Sequence, residues 1–224
     1  MSKARVPILV FDLETGGLDP NVAPAVEVAG KVYDGQTFEP IPDGEFCSLM
    51  KPPDFSKLEP RAMECNKIKI ADLERAPDQK VVWNNFVAWV NRWNKGKTAW
   101  TAPICAGKNI RAFDLRFVEV LNRLHCPKKE KTVLFNCRRQ IDLEDFIYYW
   151  RLAEDMPNEK MESLRDYFGM SHEGAHSALV DVRQEGELVM KFMRLFDRLL
   201  AHTISDGKPL ITFKDACKRK VCPA

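Results

Sequence analysis

Residues 6–13, Val-Pro-Ile-Leu-Val-Phe-Asp-Leu, constrain this chain more than any other stretch. They are β-rich and apolar almost throughout, so they predict a central strand. That strand ends in charge. Asp12 and Glu14 lie two apart, so on an extended backbone their side chains share one face. Two carboxylates side by side at the end of a buried strand repel each other and lose solvation. A divalent cation would remove both costs. An all-oxygen ligand set favours a hard ion, Mg2+ or Mn2+, over zinc.

The rest of the chain supplies layers around that strand. Residues 25–33 and 45–51 predict two further strands, separated by the turn chemistry of Asp34-Gly35 and of Pro40-Ile41-Pro42-Asp43-Gly44. Two short helices follow. The second, around 81–94, carries Val82, Phe86, Trp89 and Trp93 at helical spacing. Such an aromatic stripe is read as core rather than as a base-stacking platform. Residues 98–106 predict a buried strand. Residues 110–124 predict a helix, with Ile110, Phe113, Phe117, Leu121 and Leu124 in the i, i+3/i+4 rhythm. A short strand near 133–135 and helices from about 142 and 160 come next, the first of them capped by Asp142. A last helix over 176–200 sets Leu188, Phe192, Phe196 and Leu199 on one face. Three strands first, then alternating helix and strand, indicate an α/β sandwich: a central mixed sheet flanked by helices. The expected division is one domain over 1–204 and a basic C-terminal tail over 205–224.

Composition narrows the function classes. Hydrophobic residues are 45% of the 224, enough for a core. No apolar run is long enough to span a membrane, and residues 1–7 carry no signal-peptide core. The seven cysteines are an odd number and scattered, which fits a reducing cytoplasm better than a disulfide framework. Cys217 and Cys222 lie five apart in the basic tail, but no matching ligand pair stands near them in sequence to complete a zinc site. Net charge is only +2, so phosphate binding would have to be local. Basic residues do cluster at Lys128, Lys129, Lys131, Arg138 and Arg139 and again over 214–220. Those runs read either as solvated faces or as a nucleic-acid track.

Two further segments carry carboxylates. Asp114 falls in the first turns of the 110–124 helix, within Gly107-Lys108-Asn109-Ile110-Arg111-Ala112-Phe113-Asp114. Burying an unpaired carboxylate there would be costly. His176 and Asp181 lie five apart in Gly174-Ala175-His176-Ser177-Ala178-Leu179-Val180-Asp181. Inside one helix that spacing turns them about 140° apart. They face one site only if His176 stands at or before the first turn, and Gly174 permits such an entry. An imidazole beside a carboxylate is a suitable general base. His125, His172 and His202 have no comparable context, and Glu27 reads as structural.

Asp12-Leu13-Glu14-Thr15-Gly16-Gly17, the 107–117 segment and the His176–Asp181 phrase together resemble the motifs of the DEDDh family of 3′→5′ exonucleases, which includes polymerase III proofreading subunits and RNase T-like enzymes. The resemblance runs over about residues 8–196. It implies a ribonuclease-H-like exonuclease fold and two divalent ions per site. Asp12, Glu14 and Asp181 would hold one ion and Asp12 with Asp114 the second, with His176 as base. Thr15, Gly16, Gly17, Leu18, Asn109 and Phe113 would line the 3′-terminal nucleotide. Asn109 and Asp114 are five apart where many members have four, which bears on the role of Asn109. The partner implied is nucleic acid with a free 3′-OH, single-stranded DNA ahead of RNA. A replication or repair partner is compatible with this, and a catalytically silent binding module is the rival class.

Overall fold

The computed structural model describes residues 6–126, 134–150, 152–201, 204–205 and 208–209. Three antiparallel strands open the chain: β1 (Ile8–Thr15), β2 (Ala25–Tyr33) and β3 (Pro40–Leu49). Helices α1 (Pro60–Asn66), α2 (Ile70–Arg75) and α3 (Gln79–Asn91) follow, then β4 (Ile104–Gly107) and α4 (Asp114–His125). Next come β5 (Gln140–Asp142), α5 (Leu143–Tyr149), α6 (Met161–Phe168) and the long α7 (Ala178–Ala201). A small ladder pairs Ile204 with Pro209 and Ser205 with Lys208. The main sheet runs β3-β2-β1-β4-β5, with β4 parallel to both β1 and β5. It is the mixed sheet expected, with β1 at its centre. Among the described residues no helix is long and apolar enough to cross a membrane.

The two-residue period of β1 divides the core. Leu9, Phe11 and Leu13 face α3 and α4, packing with Trp83, Phe86, Val90, Phe117 and Leu121. Ile8 and Val10 face the other layer, with Phe146, Leu164, Val182, Val189 and Met190 from α5, α6 and α7. Asp12 and Glu14 continue the Ile8–Val10 row, so they fall on the α7 side. Burying each large apolar side chain is worth about 1.5–3 kcal/mol. A one-residue slip would exchange the two rows, so the register of β1 is strongly fixed.

Several expectations change in the structure. The Pro40–Gly44 stretch belongs to β3 rather than breaking the chain before it. Its turn chemistry makes a bulge between the Tyr33–Pro40 and Lys31–Glu45 pairs, with Asp43 at φ 55°. A short 3-10 turn and three helices, not two, precede β4. That strand begins only at Ile104, because hydrogen bonds among Asn94, Thr98 and Thr101 hold the preceding residues in turns. Helix α4 begins at Asp114; Ile110 is buried in the turn before it, while Leu124 is exposed. Leu134 and Phe135 pack on the core without pairing in the sheet, and the fifth strand is β5 instead. Helix α7 begins two residues after His176. Phe196 is partly exposed beside Trp150. Lys128, Lys129, Lys131, Cys217, Cys222 and residues 210–224 of the proposed tail lie outside the described residues.

Candidate functional site

Carboxylates converge where the parallel strands end. Asp12 and Glu14 arrive on β1, and Asp181 comes down from the first turn of α7. One oxygen from each of the three lies within 4.8 Å of the other two. Burial, then the charges of Asp181 and Glu27, push the Asp12 carboxyl up to about 7. Burial, then Asp12 and Asp181, push Glu14 up to about 9. Asp181 is also raised by burial, against a downward pull from Arg165 and His176. Burial and like charge both disfavour the ionised form of such a cluster. Its donors are all oxygens, so it suits a hard divalent cation.

Asp114 stands beside this trio rather than within it. It is the first residue of α4, 2% exposed, and its Oδ1 accepts the Leu13 N–H at 3.0 Å. Burial and the Asp12 charge hold it well above the ordinary carboxylate range. His176 precedes α7 in a turn that needs left-handed backbone at Gly174 (φ 74°) and at His176 itself (φ 69°). That entry lets it share a side with Asp181 despite the five-residue spacing. Its Nε2 lies 3.4 Å from Glu162 Oε1 on α6.

The remaining expected residues surround the trio unevenly. The Thr15 hydroxyl donates to the Gly17 carbonyl at 2.8 Å, so it shapes the turn. Gly16 and Gly17 are buried where α1 begins: the Glu59 N–H donates to the Gly16 carbonyl at 2.7 Å. A Cβ on Gly16 would fall 2.5 Å from Leu58 Cδ2. Leu18 is 76% exposed, an apolar side chain projecting beside the turn. Phe113 caps α4 and packs on Phe117, half-buried. Asn109 is exposed, with left-handed backbone at φ 58°, and its N–H donates to Asp142. Asp142 also receives the N–H groups of Arg111 and Glu144, so it ties the loop before α4 to the start of α5. Glu27 accepts the Ala178 N–H at 3.1 Å, anchoring the start of α7, which is a structural task.

Two neighbours of the site were not anticipated from sequence. Glu185, one turn beyond Asp181 on α7, is 4% exposed and accepts the Lys108 N–H at 3.1 Å. Burial, Asp12 and Asp114 raise it well above its usual range. Its i, i+4 relation to Asp181 was a usable signal. Arg165, on α6, pairs with Asp181. Nothing local distinguishes it from an ordinary surface arginine on an amphipathic helix.

A family model, RNase T exonuclease, matches residues 9–189. None of the curated proteins compared with this chain matches it. Among solved structures, E. coli exonuclease I in complex with a dT13 oligonucleotide aligns with a TM-score of 0.70 at 18% identity, covering 89% of this chain and 44% of that one. The zinc-ion-bound exonuclease I–single-stranded DNA complex aligns at 0.64 and 21% identity, with 89% and 44% covered. Cell-death related nuclease 4 aligns at 0.63 and 16% identity, covering 84% of this chain and 64% of that one. At these identities the likeness is one of fold. The chain spans less than half the length of exonuclease I.

Proposed function

The chain belongs to the RNase T exonuclease family, and on that premise we propose that it is a metal-dependent 3′→5′ exonuclease releasing nucleoside 5′-monophosphates from nucleic acid, with single-stranded DNA as its substrate. The observation that carries this reading is the Asp12–Glu14–Asp181 cluster, three mutually repelling carboxylates at the end of a central strand. The solved exonuclease I complexes with oligonucleotides support the choice of substrate class.

Asp12, Glu14 and Asp181 would hold one divalent ion, and Asp12 with Asp114 a second. Such ions, when bound, neutralise the scissile phosphate and make water a better nucleophile. The chain's own groups do the rest. His176 takes a proton from the attacking water as its oxygen bonds to phosphorus and the bond to the upstream 3′ oxygen breaks. The tight Thr15–Gly17 turn brings backbone close to a chain terminus, and Leu18 and Phe113 offer apolar surface to the last base. Neither side chain reads a base by hydrogen bonds, so sequence preference is weak.

A 5′-labelled oligonucleotide, the same strand circularised, and matched RNA versions test this together, each with manganese and with chelator. The expected result is a DNA ladder shrinking from the 3′ end, mononucleotide product, an intact circle and no cleavage with chelator. Efficient cutting of the circle would overturn the exonuclease reading, and faster loss of RNA than DNA would overturn the substrate.

A further inference from the structure

We propose that Arg165 is a positioning residue for the metal site, holding the Asp181 carboxylate towards Asp12 and Glu14. The inference rests on reading those three carboxylates as metal ligands. Arg165 is 1% exposed, the least exposed of the buried polar and charged side chains described. An arginine taken so fully out of water is carried only with firm partners. Both of its partners lie on α7. Its Nη2 pairs with Asp181 Oδ1, and its Nε donates to Gln184 Oε1 at 2.7 Å. The guanidinium therefore bridges two residues three apart on the helix that bears the ligand. Gln184 passes the connection on: its Nε2 donates to the Ser171 carbonyl at 2.7 Å. Ser171 opens the loop that carries Gly174 and His176.

This arrangement is particular to one ligand. Among the described residues, ion pairs involve Asp181 but not Asp12, Glu14, Asp114 or Glu185. Asp12 and Glu14 stand on a rigid central strand and need no further aim. Asp181 stands on a helix side chain that could rotate away from its repelling neighbours. Arg165 engages Oδ1, which fixes the rotation of the Asp181 carboxylate. A guanidinium suits this work because its fork is planar and stays charged at any working pH. Hydrogen bonds of this kind to a metal ligand are worth about 10–100-fold in metal affinity or activity.

The test uses the full chain and three variants: Arg165→Met, Arg165→Lys and Gln184→Met. Manganese affinity is read by calorimetry, and kcat and KM by release of mononucleotide. Arg165→Met is expected to weaken manganese binding about 10–100-fold and to lower kcat with KM for the oligonucleotide unchanged. Arg165→Lys keeps the charge without the fork and should recover part of that loss. Gln184→Met should move both readouts the same way by less. A purely structural arginine would change the melting temperature alone, so wild-type manganese affinity and kcat in Arg165→Met would overturn the proposal. Should that variant fail to fold, unchanged manganese affinity in both other variants would overturn it. Wild-type chain that binds no manganese would bring down the ligand reading itself. Wild-type binding with unaffected variants would sink only the role of Arg165.

Discussion

At Glu14 and Asp12 the proton is held more tightly in the folded chain than in the unfolded one, where carboxyls ionise near 4. With folded values of about 7 for Asp12 and about 9 for Glu14, the folded state binds more protons than the unfolded state across that window. Stability without metal is then full below pH ~4 and is lost as pH rises through the two folded values. Metal-free melts should show a midpoint that falls between about pH 5 and pH 9. Manganese should raise the midpoint most at the alkaline end. A midpoint that climbs with pH and flattens in Asp12→Asn would sink this account. Asp12→Ala or Glu14→Ala should abolish cleavage and leave the metal-free melting temperature equal or higher, because each removes a repelling neighbour. Turnover retained by either purified variant would count against their assignment. His176→Ala should slow turnover by roughly 10²–10⁴-fold, the usual worth of a general base, with manganese affinity kept. Calorimetry showing that affinity lost would make His176 a ligand instead.

The turn between β1 and β2 is the element on which the site leans hardest. Gly16 sits under Leu58, with an added Cβ only 2.5 Å from Cδ2, and its carbonyl receives the Glu59 N–H at the start of α1. Gly16→Ala should cost about 1 kcal/mol, the low end of overpacking, because Leu58 Cδ2 ends a flexible side chain while the Pro24 ring stands only 3.3 Å away; it is read as a lower denaturant midpoint at unchanged slope. A loss under about 0.5 kcal/mol would mean that Leu58 yields freely. The two glycines were legible in sequence as a turn but not as a packing seat, since Leu58 and Glu59 reach them across a loop. The same limit separates what could be read from what could not. β1 and β2 were readable as β-rich, largely apolar runs, and an extended β1 placed Asp12 and Glu14 on one face. α7 was readable from its apolar stripe, and with it the need for His176 to precede the helix. β5 was not readable: three residues carry no period, and only pairing with β4 makes Gln140–Asp142 a strand. The bulge in β3 was hidden for the opposite reason, because proline and Asp-Gly signal a break when read locally. Arg165 and Asp181 meet across two helices, which no local pattern encodes.

Across the whole molecule, the carboxylates and the described basic pair occupy opposite ends of the sheet. β1, β4 and β5 run parallel, the acids gather where β1 ends, and Arg138 and Arg139 stand just before β5 begins. Arg138 lies over the Trp100 ring, 4.6 Å from its centroid, which commits it to a local contact. With a net charge of only +2, bound metal would supply much of the charge that meets the terminal phosphate. Binding to a single strand loses affinity with salt in proportion to the phosphates neutralised, at about 0.7 per phosphate on logarithmic axes. If side chains neutralise only two or three phosphates, kcat/KM on a single-stranded oligonucleotide at fixed manganese should fall with a slope no steeper than about −2. Measured between low and physiological salt, a slope steeper than about −4 would contradict that estimate. It would require a longer basic path, and Lys128, Lys129 and Lys131 would be the residues to replace first. Loss of the steep slope in their alanine variant would move the nucleic-acid track to that segment, while the metal site at the end of β1 would keep its chemistry.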